Sequence, residues 1–475
     1  MQSSAFNVRV PLATGDVFLM NTLTDAQLVV SADAAALLDR VEQRNFNVAA
    51  AEPDAVEALA TFAELGLLVR DRETDRENLE RRFETFHEDR SQLRITILTT
   101  LQCNFACDYC YQGEHGNSQS AAKMSIETSG QVAAWIAAQL DVVRPPRLSL
   151  TFFGGEPLLN VPAMVDLADR SFRAASERGV EQVVSIITNG LLLTPNVVDA
   201  MLPFGLTGVK VTLDGDRETH DRMRPARGGQ GTFDRIIANI RRVADRVPVA
   251  IGGNFDAATA ERYPALLDFL KDQDFAGRIA KVAFKPVIKP AAGGSTGTRS
   301  LIPLTAVDAG NRPVGSSCMS AAGGGQSSSV CDNCHFVDEQ MDMLRAETKR
   351  RGFSTVDGVH MGPCELYRRH SHTIGPDGAL YACPGFTGDN ALAVGHISGQ
   401  ADALRDETAI TFEHLAPWRN CGDCSFIPVC GGGCAVASYT ELGDMAAPSC
   451  HKRAFESALT SLAEEAAGFT TGGVQ

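Results

Sequence analysis

The sequence predicts an α/β chain: a partial (β/α)6 barrel over residues 93–288, preceded by a winged-helix-like module at 1–72 and a charged linker helix at 73–92. A Gly/Ser-rich insertion at 289–335 and a cysteine-rich domain at 336–475 follow. Three observations carry this prediction. Between residues 93 and 288, apolar strand-like runs alternate with helical segments about six times, which implies repeated βα units on a parallel sheet. Residues suited to chemistry fall directly after those runs, where a βα barrel gathers its ligand-binding face. The cysteines stand in groups, and most lie after position 360. At 475 residues the chain has room for two or three domains, each with its own core.

From residue 12 to 31 the pattern is a hairpin, with Val17-Phe18-Leu19-Met20 and Leu28-Val29-Val30 flanking a polar turn. Two short helices should follow. Residues 34–41 place Leu37, Leu38 and Val41 on one face, and Pro53 suits the first turn of a helix ending at Gly66, before the strand Leu67-Leu68-Val69. This winged-helix pattern resembles the small peptide-binding domain of many maturases of ribosomally made peptides, which captures a leader peptide as an added edge strand. The alternative is a packing cap on the barrel. The densely alternating charges of residues 73–90 predict a solvated linker helix. Barrel strands are expected at residues 93–99, 148–153, 183–188, 209–213, 247–252 and 282–287, with helices such as 126–140, 161–178, 233–243 and 260–271 between them. Further on, Pro376-Asp377-Gly378 between Ser371-His372-Thr373-Ile374 and Ala379-Leu380-Tyr381-Ala382 predicts a hairpin that returns Cys383 to the neighbourhood of Cys364.

A net charge of -15 argues against a general nucleic-acid or anionic-membrane surface, because phosphate binding needs a basic stripe that this sequence lacks. No run of eighteen or more apolar residues occurs, and the start, Met1-Gln2-Ser3-Ser4-Ala5, has no cationic segment followed by an apolar one. The expectation is a cytoplasmic protein. In a reducing compartment, 13 cysteines point to metal ligation rather than disulfides.

Cys103, Cys107 and Cys110 follow the first barrel strand with three and two residues between them. Three thiolates hold three irons of a [4Fe-4S] cluster and leave the fourth open to a substrate or cofactor, whereas electron-transfer clusters normally carry four cysteines. A zinc knuckle is the alternative, but no fourth ligand is obvious nearby, since His115 follows a Gly-containing loop. The spacing, with Tyr109 just before the third cysteine, resembles the radical S-adenosylmethionine (SAM) superfamily. There the open iron chelates the methionine end of SAM, and reductive cleavage yields a 5'-deoxyadenosyl radical. The resemblance covers residues 93–288 and makes the expected fold a partial radical-SAM barrel. It implies that Tyr109 lies against the adenine, that Gly154 and Gly155 let backbone approach the cofactor, and that Glu156 accepts a hydrogen bond from the methionine ammonium. Asn189 and Asp214 become candidates for the carboxylate and ribose contacts. Taken singly, Gly154-Gly155-Glu156-Pro157 is also a strand-ending turn and Asn189-Gly190 a common turn dipeptide. His220, Asp221, Arg222 and Lys285 line neighbouring loops, where His and Lys are more often structural.

In the C-terminal third, Cys364, Gly378 and Cys383 are followed by Cys421, Cys424, Cys430 and Cys434, with gaps of two, five and three, and then by Cys450. This resembles a SPASM extension, the auxiliary-cluster domain of many peptide- and protein-modifying radical enzymes. By that pattern Cys364, Cys383 and Cys434 hold a first auxiliary [4Fe-4S] cluster, and Cys421, Cys424, Cys430 and Cys450 a second. Paired zinc sites are the alternative. Cys318, Cys331 and Cys334 remain, in or beside the Gly/Ser-rich stretch 321–329. They can supply a fourth ligand to the first cluster, build a third auxiliary metal site, bind zinc with His335, or stay unligated.

The resemblance implies a maturase of a ribosomally synthesised peptide, with SAM, a SAM-binding [4Fe-4S] cluster and two auxiliary clusters as cofactors. Its partners would be a precursor peptide and a flavodoxin- or ferredoxin-type electron donor, with neither nucleic acid nor membrane. The product would be a thioether or carbon-carbon cross-link, or a related oxidation. An anaerobic sulfatase-maturing enzyme, making formylglycine, is the main alternative. That family commonly has an acidic residue after the cysteine of the Gly-x4-Cys element, where this chain has Pro384. A non-catalytic iron-sulfur scaffold is a further alternative, and it would need neither Gly154, Gly155 and Glu156 nor an open iron. No general base is assigned.

Overall fold

The computed structural model describes residues 1–43, 52–110, 122–287, 332–360, 362–399 and 403–471. Cys318 and Cys331 lie outside them. The chain opens with β1 (Gln2–Ser3) and a three-stranded antiparallel sheet of β2 (Asn7–Pro11), β3 (Val17–Asn21) and β4 (Ala26–Val30). Helices α1 (Ala32–Glu42) and α2 (Pro53–Glu64) come next, then β5 (Leu68–Val69), which pairs with β1. The expected hairpin is β3 with β4; β2 is an additional strand that pairs with β3, Asn7 opposite Asn21. Ser31 caps α1 by accepting from the Ala34 N–H at 3.2 Å, and Pro53 sits in the first turn of α2, where its missing N–H costs nothing. Side-chain alternation divides β3: Leu19 packs with Leu37, Leu38, Leu59 and Phe62, while Phe18 and Met20 belong to a separate apolar cluster.

Helix α3 (Arg72–His87) starts at Asp71, whose carboxylate accepts from the Thr74 N–H at 2.9 Å. It is not solvated all round. Asp75, Leu79 and Phe83 are buried, and Asp75 accepts from Ser4 Oγ at 2.9 Å and from the Ala5 N–H at 2.7 Å. The alternating charges describe its outer faces, and Leu79 and Phe83, one helical turn apart, form the inner one.

The barrel runs β6 (Gln92–Leu98), α4 (Ile126–Val143), β7 (Arg147–Phe153), α5 (Val161–Ser176), β8 (Glu181–Thr188), α6 (Pro195–Met201) and β9 (Leu206–Thr212). It continues through α7 (Arg217–Met223), α8 (Phe233–Val243), β10 (Val249–Phe255), α9 (Tyr263–Lys271) and β11 (Ile279–Pro286). Strands β6 to β11 are parallel and adjacent in sequential order, so this is a partial (β/α) barrel. Leu93, Ile95 and Ile97 of β6 and Leu148, Leu150 and Phe152 of β7 are buried in the main core with the helices. Each such side chain contributes about 1.5–3 kcal/mol. The residues between them, among them Thr96 and Thr151, face the other way.

Helix α10 (Asp332–Arg350), which carries Cys334, precedes β12 (Ser371–Ile374), β13 (Ala379–Tyr381) and β14 (Gly395–His396). The pair β12 and β13 is the expected hairpin, with Thr373 opposite Tyr381. Strand β12 also pairs in parallel with β6, from Ser371 opposite Arg94 to Ile374 opposite Ile97, so the cysteine-rich part extends the barrel sheet to nine strands. Helices α11 (Ala403–Glu413), α12 (Ile427–Cys430), α13 (Ala435–Leu442) and α14 (Lys452–Thr471) follow. Leu459 and Ala463 of α14 pack with Phe18, Met20, Phe426 and Val429, and Phe83 of α3 stacks on Trp418 with ring centroids 4.0 Å apart. Among the described residues, no helix is long and apolar enough to cross a membrane.

Candidate active site and cysteine centres

The loops leaving β6 to β10 at their C-terminal ends meet on one face. In the loop after β6, the Phe105 N–H donates to Cys103 Sγ at 3.4 Å and the Ala106 N–H to the Pro225 carbonyl at 2.9 Å. The loop after β7 backs onto it: the Gly155 N–H donates to the Thr100 carbonyl at 3.1 Å and the Glu156 N–H to that of Gln102 at 2.8 Å. A Cβ on Gly154, whose φ is +130°, would collide with the Thr100 carbonyl, and one on Gly155 with that of Gln102. The close approach that glycine permits here is to the backbone of the cysteine loop.

Glu156 is fully buried. Its Oε1 accepts from the Leu158 N–H at 3.0 Å and from Thr188 Oγ1 at 2.7 Å, and its Oε2 accepts from the Asn189 N–H at 2.8 Å. Burial raises its pKa against the pull of these donors. The carboxylate thus ties the end of β7 to that of β8. It also orients Asn189, whose Nδ2 donates to Asn104 Oδ1 at 2.7 Å and reaches Cys103 Sγ at 3.9 Å.

Asp214 follows β9. Its Oδ1 accepts from the Asn254 N–H at 2.7 Å and its Oδ2 from the Tyr109 hydroxyl. The Arg224 guanidinium donates to the Tyr109 hydroxyl and lies 3.4 Å from Asp214 Oδ2. Buried His220 accepts through Nδ1 from the Asp214 N–H at 3.1 Å and meets Thr232 Oγ1 through Nε2, also at 3.1 Å. Burial, reinforced by Arg224, holds the His220 pKa down to about 3, so the ring is a neutral brace for the Asp214 loop. Arg224 was not among the expected site residues. Arg222, noted in the sequence only as lining a neighbouring loop, lines a cavity of about 430 Å³ with Asp108, Tyr109, Glu218, Asp256 and Arg262. Two positions further on, past the end of α7, Arg224 turns inward, where its Nε has no hydrogen-bond partner among the described residues. A buried guanidinium with an unspent N–H suits the carboxylate of a ligand.

The ten cysteines whose side chains the structure describes form no disulfide. For seven of the thiols, the cysteines that act on them electrostatically fall into three sets: Cys103, Cys107 and Cys110; Cys364, Cys383 and Cys434; and Cys421, Cys424, Cys430 and Cys450. A Cβ on Gly433 would strike the Ser449 carbonyl, and that close wrap, with the Ser449 N–H donating to the Gly432 carbonyl at 2.8 Å, brings Cys450 to the Cys430 loop. Burial pushes Cys107, Cys383 and Cys430 up to about 12, so their thiolates require a cationic partner. Lys285, beside Asn254 in register, is near enough to Cys364 and Cys383 to favour their thiolates. Among the described residues, no three His, Cys, Asp or Glu side chains stand closely enough to hold one metal ion. A mononuclear zinc needs its sulfurs within about 2.3 Å of a single ion, whereas a cubane takes each thiolate on a separate iron.

Residues 97–260 match the model of the Radical SAM superfamily. Those residues carry a radical SAM domain, and the cysteine-rich C-terminal part fits a SPASM domain. It is 32% identical over 142 residues to an AdoMet-dependent heme synthase of Methanosarcina barkeri, a match covering 30% of this chain and 36% of that protein, so it spans about a third of the relative's length. A serine-type anaerobic sulfatase-maturating enzyme of Bacteroides thetaiotaomicron is 21% identical over 72% of this chain and 82% of its own. The solved structure of native anSMEcpe with bound AdoMet and Cp18Cys peptide has the same fold, with a TM-score of 0.55 and 16% identity over 79% of this chain and 99% of that one.

Proposed function

We propose that this chain is a radical SAM peptide maturase, which generates a 5'-deoxyadenosyl radical and installs a thioether or carbon-carbon cross-link, or a related oxidation, on a ribosomally made peptide. The observation that carries the reading is the meeting, on one barrel face, of the three-thiol loop with the network of Tyr109, Asp214 and Arg224. Clusters held by these cysteines would supply the electron that cleaves SAM and would take up those released as the substrate is oxidised. The chain's own residues bind and orient. Arg224 offers its guanidinium to the SAM carboxylate, Tyr109 its ring to the adenine, and Asp214 an acceptor to the ribose. Glu156 holds Asn189 beside Cys103. Strand β4 is a free edge of the N-terminal sheet, among the described residues, and a leader peptide can add to it as a strand. A flavodoxin or ferredoxin would deliver the electrons.

A second reading, sulfatase maturation, is favoured by the long alignment with the Bacteroides thetaiotaomicron enzyme. One experiment tests both: strictly anaerobic incubation with SAM, a reductant and either short peptides encoded beside the gene or a sulfatase-derived peptide, followed by mass spectrometry. A cross-linked product loses two hydrogens and resists fragmentation between the joined residues. Formylglycine from Ser shows the same loss but carries an aldehyde that a hydrazide captures. Absence of any product from either peptide class, with SAM cleaved normally, would remove the peptide reading.

A further inference from the structure

Tyr367 closes a short 3-10 turn, Glu365–Tyr367, and its N–H donates to the Cys364 carbonyl at 3.0 Å. Its ring lies on Gly431, between Cys430 and Cys434: a Cβ on that glycine would stand 3.3 Å from Tyr367 Cε2. It also meets Trp418 edge-on, with ring centroids 5.3 Å apart, and the Trp418 carbonyl accepts from the Cys421 N–H at 3.0 Å. The side chain therefore touches or adjoins the segments that carry Cys364, Cys421, Cys430 and Cys434, where the two auxiliary sets meet. It is only 5% exposed, and its hydroxyl has no hydrogen-bond partner among the described residues.

An orphaned buried hydroxyl costs about 1–3 kcal/mol, and native structures seldom leave one unsatisfied. The groups that act on it most strongly are sulfurs, Cys364 first and then Cys430, Cys434 and Cys421. The packing role of the ring, in the cluster with Phe83 and Trp418, explains the aromatic but not the oxygen, since Phe would fill that space without stranding a polar atom. A cluster of anionic sulfurs is the acceptor that such a donor lacks.

We infer that the Tyr367 hydroxyl donates a hydrogen bond to a sulfur of the first auxiliary cluster, the one assigned to Cys364, Cys383 and Cys434, and thereby raises its reduction potential. The inference rests on the auxiliary-cluster reading above. Hydrogen bonds to cluster sulfurs stabilise the more negative, reduced state. Tyr367 is a positioning and tuning residue here; it touches no substrate.

The test is an anaerobic redox titration, monitored by electron paramagnetic resonance, of the full reconstituted chain and of its Tyr367→Phe variant. The second auxiliary potential is identified by its loss in Cys421→Ala/Cys424→Ala. The variant should keep the parent's iron content and melting temperature, while the first auxiliary potential falls by about tenfold in the one-electron equilibrium, ~59 mV. The second auxiliary potential and that of the Cys103, Cys107 and Cys110 cluster should not move. Unchanged potentials at full iron content would overturn the inference and leave the cluster reading standing, and so would a shift confined to the second cluster. A parent chain with zinc in place of auxiliary iron would overturn both.

Discussion

Arg224 is the most informative single residue in the site, because a buried guanidinium is held in place there by Tyr109 and Asp214 while one N–H stays unspent. Arg224→Ala should weaken SAM binding to the reconstituted chain by roughly 30- to 160-fold, the value of a charge-assisted pair at about 2–3 kcal/mol, as read by anaerobic equilibrium dialysis. Undiminished affinity would mean that the cation serves only Asp214. Glu156→Gln is a test of a different kind. It turns one acceptor into a donor that must face either the Asn189 N–H or the two donors on Oε1, and should cost about 1–3 kcal/mol in urea unfolding. Glu156, Asn189 and Asp214 were legible as candidates because each sits just after a strand, and strand ends converge in any βα barrel, whereas Tyr109 was legible only from its place before the third cysteine of the triplet. Arg224 was not, since nothing in the spacing distinguishes it from Arg222; only the end of α7 decides which of the two turns inward.

At the scale of elements, the β3–β4 hairpin is fastened to the chain ahead of Cys364 by one histidine. His360 Nε2 lies 2.7 Å from Asp25 Oδ1 and 3.2 Å from Gln27 Nε2, and its Nδ1 lies 2.8 Å from Asp357 Oδ2. Partial burial lowers the His360 pKa, but Asp357 and Asp25 outweigh it and hold the group above its ordinary value of 6.5. A raised folded pKa gives stability that is complete below the unfolded value and is lost as pH rises through the folded one. The parent should therefore melt above His360→Gln at about pH 6, and the gap should close by about pH 9; a gap independent of pH would leave the contact as simple packing. Helix α3 makes a second link. Phe83→Ala removes the ring stacked on Trp418 and should cost about 3–5 kcal/mol by urea unfolding. Strands β6 to β11 and the β12–β13 hairpin were legible from apolar runs and turn residues. The pairing of β12 with β6 was not, because strand partners so far apart in sequence leave no local pattern; β2 was missed because its five residues, two of them Asn7 and Pro11, alternate only weakly.

At the scale of the whole molecule, three regions that the sequence separates share their cores. Phe6 and Leu23 are buried in one cluster with Phe83, Tyr367 and Trp418, and Val8, Phe18 and Met20 in another with Phe426, Val429 and Leu459. Removing residues 1–90 should consequently do more than abolish peptide capture: it uncovers apolar surface around the auxiliary cysteines, and iron retention and melting temperature should both fall. A truncated chain with full iron and unchanged melting would show the N-terminal part to be a separable attachment. The central claim is that Cys103, Cys107 and Cys110 hold a cluster whose open iron binds and cleaves SAM. Its most direct measurement is 5'-deoxyadenosine formation by the anaerobically reconstituted chain with SAM and a strong reductant, beside the Cys103→Ala/Cys107→Ala/Cys110→Ala variant. The parent should form it, and the variant should form none while keeping about two thirds of the iron, that of the two auxiliary cubanes. Formation at the parent rate by the variant would contradict the account.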